Sequence, residues 1–308
     1  VLSVFNGFED LIKSTYNAFD PDIKITPEKG KTFVVDGEQR FQNVKKLAGV
    51  EVFCEVLEEN ALIRYDEKQY IGRVKGVPDN FAALSGVDSM ITNGKFALHG
   101  ENKEMAVMGR GLAYFLSVSL NLVEPLVIYV PKRGQTAMVN PRSAFNRKYI
   151  FPSGIFSTQP EYDKQYVIVP LDFARDLLDY KNEATAVEIK VADGYSMNEV
   201  ETRLEEMLGN DYEVKNRYEQ HEVFYKVMQS EKWYIFLILT FILIVASFNV
   251  IGSLTMLIID KKEDIVILRS LGSSLKTIRR IFFLEGWMIS LIGALAGTGI
   301  GLFICWLQ

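Results

Sequence analysis

Few residues in this sequence could do acid–base or nucleophilic chemistry. There are two histidines, His99 in the polar turn ALHGENKE and His221 at a helix start, EQHEVF. An imidazole base needs a nucleophile within hydrogen-bond reach and a third group to orient it. No nucleophile motif flanks either histidine, so both read as surface residues. The only cysteines are Cys54, in a polar region, and Cys305, in an apolar run, which excludes a disulfide framework or a zinc site. The pair of glycines at Gly109–Gly111 is too sparse for a nucleotide loop. GSSLKT, Gly272 to Thr277, lacks the glycine before Lys276 and any preceding strand, so no nest of backbone N–H groups could cradle a phosphate there. The expectation is a chain with no catalytic residue, no bound metal and no cofactor of its own, drawing on energy supplied elsewhere.

Such a chain must act through its elements, and its composition divides them sharply. The net charge of -5 over 308 residues carries no basic footprint for nucleic acid. Residues 1–230 hold 27 basic and 34 acidic side chains and read as water-facing. From Trp233 to Ile259 there are 27 residues without a formal charge, longer as a helix than the roughly 30 Å of a bilayer's hydrocarbon. A second run, Ile281 to Leu307, has one charge, Glu285, near its basic end. Both are predicted to span a membrane, with Trp233 and Tyr234 in an interfacial belt. Gly293, Gly297 and Gly301 recur every four residues on one helix face, a stripe suited to close helix packing. Between the runs lie Lys261, Lys262, Arg269, Lys276, Arg279 and Arg280, six basic residues that place this connector in the cytoplasm. The water-facing part then lies on the opposite side. Val1, Leu2, Val4, Phe5, Phe8, Leu11 and Ile12 recur at helical spacing and read as the outer end of an earlier span. The lack of an initial methionine, and the stop at Gln308 inside an apolar run, read as the cut ends of a fragment.

The water-facing part is predicted to be α+β. Over 20–160 the stretches DIKITP, VEVFCEVLE, NALIRYD, QYIGRVKGV, EPLVIYVP and KYIFPSGIFST are strand-like, with short helices near Phe41–Leu47 and Gly111–Leu120. Over 165–228 the order is β-α-β-α-β. Asp172 is placed to cap the first helix, Ser196 with Glu199 forms a capping box for the second, and YEVKNRYEQ reads as the last strand. Two subdomains follow from this: one β-rich, one β-α-β-α-β. The expected divisions are 1–19 as the end of a first span, 20–228 as the external domain, 229–259 as a second span with its extension, 260–280 as a cytoplasmic loop and helix, and 281–308 as a third span.

The connector is too long and too patterned for a simple turn. LIIDKKEDIVILRSLGSSLKTIRRIFFLEGW, lying between two spans, resembles the FtsX-type permeases of ABC transporters. VLSVFNGFEDLI and SGIFSTQPEYDKQYVIVPLDFARDLL are similar to the lipoprotein-releasing permeases of that family, LolC and LolE. The resemblance covers nearly the whole chain and implies a MacB/FtsX-like fold and a multi-pass protein of the bacterial inner membrane. The connector would be a coupling helix lying in a groove of a cytoplasmic ABC ATPase dimer, which itself binds ATP and Mg. Glu263 and Asp264 would begin that helix at its positive end. Ile265, Leu268 and Leu271 would form a narrow apolar stripe for docking, Arg269 would meet a carboxylate, and Gly272 would end the helix.

The resemblance further implies that the chain is a non-catalytic subunit, paired with a second permease, identical or related. It would couple ATP hydrolysis to extraction of lipoproteins and their transfer to a periplasmic carrier. The carrier would be recruited by a projecting hairpin, the hook, at RGQTAMVNPRSAFNRKYIF. Met138, Val139, Pro141 and Phe145 would give it apolar contact, and Arg142 and Arg147 its charge, within a basic cluster with Lys132, Arg133 and Lys148 and no acid nearby. Val1, Val4, Phe5 and Phe8 would touch lipid or an acyl chain. The alternative is another mechanotransmitting permease of this type, serving efflux through a periplasmic adaptor or activating cell-wall hydrolases.

Overall fold

A computed structural model describes residues 20–101, 103–121, 124–133 and 144–307. The strands are β1 Ile23–Pro27, β2 Phe33–Val34, β3 Val50–Tyr65, β4 Lys68–Val77, β5 Ile91–Gly94, β6 Met105–Gly109, β7 Leu126–Pro131, β8 Phe145–Phe156, β9 Tyr166–Pro170, β10 Glu183–Ala184, β11 Ala186–Val191 and β12 Tyr212–Asn216. The helices are α1 Gln39–Lys45, α2 Phe81–Ser85, α3 Arg110–Leu116, α4 Pro160–Gln165, α5 Leu171–Leu178, α6 Met197–Leu208, α7 Arg217–Gln220, α8 Glu222–Asp260, α9 Lys262–Ser270 and α10 Leu275–Leu307. The chain divides into two compact units, Val1–Tyr225 and Lys226–Gln308.

The first unit is organised by β3, a single strand of 16 residues where the sequence suggests two. The sequence reading breaks at Glu59, but the strand runs on through Glu58, Glu59 and Asn60, all paired with β4, just past the point where β3 changes partners. Its first half, Val50–Val56, pairs with β11; its second, Leu57–Tyr65, pairs with β4. The pairings β3–β4, β4–β9, β9–β6, β6–β8, β8–β7 and β7–β3 return on themselves and close a six-stranded ring. Inside it Leu57, Ile63, Met108, Ile128 and Val167 are fully buried, with Leu112 and Phe173 from α3 and α5. Alternating inward side chains on each strand fill this core.

The other half of β3 carries the sheet on through β11 and β1 to β12. Its apolar face is covered by α1 and α6, through Phe41, Val44, Val200, Leu204 and Leu208, all buried. The α+β class and the β-α-β-α-β order over 166–216 are as the sequence suggests; the partners differ. β9 belongs to the ring, while β1, from the start of the unit, sits between β11 and β12. The ring is therefore an insertion between the two halves of the second subdomain.

Local caps differ as well. Pro170, not Asp172, precedes α5, and Ser196 holds the N-cap position of α6 without a side-chain cap hydrogen bond. The last strand stops at Asn216, whose side chain accepts from the N–H groups of Tyr218 and Glu219 and so starts α7. Glu201 of α6, 8 % exposed, accepts from both the backbone N–H and the side-chain amide of Asn216, at 2.9 and 2.8 Å. α6 is thereby fastened to the chain just before it leaves the unit.

α4 lies hard against the end of β6. A Cβ at Gly109 would stand 2.3 Å from the carbonyl oxygen of Asp163, a clash with backbone that no rotamer relieves. Gly109→Ala is expected to destabilise the first unit by about 1–3 kcal/mol, as overpacking does. A denaturant titration followed by far-UV circular dichroism would read this.

In the second unit α8 has 39 residues and α10 has 33, about 58 and 50 Å at 1.5 Å per residue. Each is long and apolar enough to cross a membrane, over Lys226–Asp260 and Leu275–Ile304. Thr240, Ser247 and Thr255 donate their hydroxyls to carbonyls four residues back, at 2.8, 2.8 and 2.7 Å, so no lone hydroxyl donor faces the apolar surround at these positions.

Candidate functional site

The connector between α8 and α10 forms a helix with built ends. Glu263 and Asp264 lie in the first turn of α9, where the macrodipole favours acids, and Asp264 also pairs with Lys261 at 3.0 Å. At its other end the N–H of Gly272 donates to Arg269 and that of Ser273 to Leu268, both at 3.0 Å. This double bond is a Schellman closure, and Gly272 supplies the left-handed backbone it needs at φ +91°. GSSLKT is thus a cap-to-cap joint, with Ser274 accepting from the N–H of Thr277 to open α10. The apolar surface is broader than the expected stripe. Ile265 is half-buried, Leu268 and Leu271 are exposed, and Val266 and Ile267 are exposed as well. Arg269 stands in the last turn. Each such aliphatic gains about 1.5–3 kcal/mol on full burial, so this helix is apolar enough to be driven under cover.

Around Gly293, Gly297 and Gly301, nothing among the described residues lies within 4 Å of an added Cβ. The close approach of α8 and α10 falls instead at Gly286, where a Cβ would meet Leu254 at 3.0 Å. Gly286 lies seven residues before Gly293, outside the four-residue repeat that marks the stripe.

Of the expected hook, Met138, Val139, Pro141 and Arg142 lie outside the described residues, as do Val1, Val4, Phe5 and Phe8 at the start of the chain. Phe145 and Arg147 open β8, opposite Pro131 and Tyr129 of β7, and both are exposed. The neighbouring cations do have acids beside them. Arg133 lies 3.4 Å from Glu183 and over the ring of Tyr180, and Lys148 is 2.8 Å from Asp176. These carboxylates come from α5 and β10, distant in sequence and brought to the hairpin's base by the ring.

A charged cleft of about 540 Å³ opens on the sheet where β1, β11, β3 and β4 lie side by side. Lys75 is buried and holds Glu188 at 2.8 Å and Glu58 at 3.3 Å. Burial alone would lower the Lys75 ammonium, but the two carboxylates more than offset this and hold it above its ordinary range. Glu58, in turn, is lowered overall: burial pushes it up, and Lys24 and Lys75 pull it further down. Cys54 of β3 is buried, its thiol pushed up to about 12 by burial and by Glu188, which keeps it protonated.

At the cleft's rim His221 is not a free surface residue. Its Nε2 lies 2.8 Å from Asp20, and the Tyr162 hydroxyl donates to the same carboxylate at 2.7 Å. His99 is exposed, 3.1 Å from Asp79, as a surface residue would be. Among the described residues no group of three or more His, Cys, Asp or Glu side chains could hold a metal ion. These clusters are built to hold elements together.

The family model described as FtsX-like permease C-terminal matches residues 236–308. The chain is 28% identical over 307 residues to the lipoprotein-releasing system transmembrane protein LolC of Buchnera aphidicola subsp. Schizaphis graminum, covering 98% of this chain and 73% of that protein. It is 26% identical over 317 residues to LolE of Haemophilus influenzae, covering 98% and 72%. Among solved structures, the periplasmic region of MacB from Actinobacillus actinomycetemcomitans is similar, with a TM-score of 0.47 and 10% identity over 67% of this chain and 92% of that one. Residues 236–308 thus match the FtsX-like permease model, and over nearly its whole length the chain is similar to LolC and LolE.

Proposed function

We propose that the chain is the permease subunit of an ABC complex that uses a partner's ATP hydrolysis to extract lipoproteins from the inner membrane and hand them to a periplasmic carrier. The observation that carries this reading is α9, an acid-led, glycine-closed helix with Val266, Ile267, Leu268 and Leu271 exposed between two helices able to cross a membrane. Its similarity to LolC and LolE supplies the substrate class. Six basic residues from Lys261 to Arg280 favour a cytoplasmic α9, which would there meet the ATPase dimer, and one crossing by α8 would leave residues 20–221 in the periplasm. Residues 1–19 would end an earlier span, and the bare face at Gly293, Gly297 and Gly301 would meet a helix of a second permease subunit.

The hook at Met138, Val139, Pro141, Arg142, Phe145 and Arg147 would take the carrier. In a pull-down with the immobilised full chain, Arg142→Glu with Phe145→Ala is expected to cut carrier retention at least about tenfold, a loss of about 1.4 kcal/mol. Equal retention by the variant and the parent would overturn the hook. A second reading rests on the family match, which covers only 236–308, the part this chain would share with FtsX-type permeases of other tasks. On that reading a parent chain that holds no lipoprotein carrier would instead hold an efflux adaptor or a cell-wall hydrolase.

A further inference from the structure

Within the first unit the segment Asp20–Asp22 is bound to the segment Arg217–His221, just before α8. Arg217 donates to Asp22 at 2.8 Å, and its backbone N–H donates to the Asp22 carbonyl at 2.9 Å. The Gln220 amide donates to the carbonyl of Pro21 at 3.3 Å, and Asp22 also accepts from the N–H of Val191 at 2.8 Å. All of these ties run to the residues that lead into β1 or to β11, within the second subdomain. The Asp20 carboxylate runs elsewhere. One oxygen takes His221, the residue before α8, and the other takes Tyr162 of α4, which is pressed onto the ring at Gly109.

We propose that the Tyr162–Asp20–His221 chain is a coupling node that ties the root of α8 to α4, so that a displacement of one is passed into the ring. These are positioning residues, and the idea rests on reading α8 as the helix that bears motion. Tyr162 is half-buried among groups that keep it protonated: desolvation first, then Asp20, hold its hydroxyl above the usual phenol range, so it remains a donor. His221 is faced by Asp20 from the entering segment, by Glu161 and Tyr162 from α4 and by Lys24 from β1. Its hydrogen bond to Asp20 is the largest influence and raises it above its ordinary value, against the opposing effect of burial. A raised histidine contributes stability that is complete below its unfolded value, near 6.5, and lost as pH climbs through the folded one. The node is therefore strongest in mild acid and weakens in alkali.

Hydrogen exchange on the full chain in detergent micelles, read by peptide, tests this without ATPase or carrier, so the node can fail while the transport reading stands. Tyr162→Phe is expected to speed exchange at 217–223 about tenfold, and His221→Gln to do the same at 160–165, although each substitution lies on the other element. In the parent, both segments speed up together as pH rises from about 6 to 8.5, after correction for intrinsic rates; in His221→Gln that shared rise is gone. Changes confined to the substituted residue's own segment, or a pH response unaltered by His221→Gln, would overturn the node. If Tyr162→Phe loosens β3 and β4 as well, Asp20→Asn, which leaves both partners in place and removes the shared charge, decides by the same comparison.

Discussion

Leu268→Asp is expected to reduce the ATP turnover that the permease stimulates in an assembled complex at least about a hundredfold, while the chain inserts and folds as before. Leu268 is 38 % exposed on a helix with no buried residue, so the substitution touches no core. Docked in an apolar groove, the leucine contributes about 1.5–3 kcal/mol, and a carboxylate there adds the cost of an unpaired charge. Together these exceed the roughly 2.7 kcal/mol that a hundredfold change requires. Lys262→Ala, in the first turn of the same helix, should change turnover little, because an exposed charge there is screened. Turnover by the Leu268→Asp complex within twofold of the parent would remove α9 from the coupling path, whatever the rest of the chain does.

How far the sequence foretells this molecule depends on the range of the forces involved. The two long apolar helices and the cap-to-cap connector are written in consecutive residues: uncharged runs, acids at Glu263 and Asp264, a glycine at Gly272. Local signals suffice for them. Pairing between distant strands is different. Nothing near Glu58 in sequence says that Lys75 and Lys24 will neutralise it, so a strand that continues through Glu58-Glu59-Asn60 reads as two strands and a turn. The same holds for β9, whose neighbours β4 and β6 lie far away along the chain, and for Glu183 and Asp176, which compensate cations at the hairpin's base. Gly286 escapes notice for another reason. A regular stripe of glycines attracts attention, but contact between α8 and α10 needs only one small residue opposite Leu254. His221 reads as a surface residue because its partner, Asp20, lies 201 positions away.

The buried trio around Lys75 sets the largest stability effect. Glu188 is fully buried, and its other cation, Lys24, stands at 3.9 Å, too far for a good hydrogen bond. Lys75→Met removes the 2.8 Å contact and leaves the buried Glu188 carboxylate with only Lys24, at 3.9 Å, to offset its charge. Breaking a buried pair from one side costs about 3–5 kcal/mol, against less than about 1 for an exposed pair such as Lys148–Asp176. Tryptophan fluorescence would report the wrong unit, since Trp233, Trp287 and Trp306 all lie in α8 and α10. The measurement is amide exchange in β3 and β4, where protection should fall by two to four powers of ten, about 1.4 kcal/mol each. Adding Glu188→Gln to Lys75→Met should recover part of the loss, because the orphaned group is then neutral. Glu58 gives the acid side of the same cluster. Its folded value is lowered, so its contribution is present above the unfolded carboxylate range and vanishes as pH falls through the folded value. Protection that survives Lys75→Met unchanged would mean that water reaches Glu188, and that the cleft, not the ion pair, holds β4 to β11.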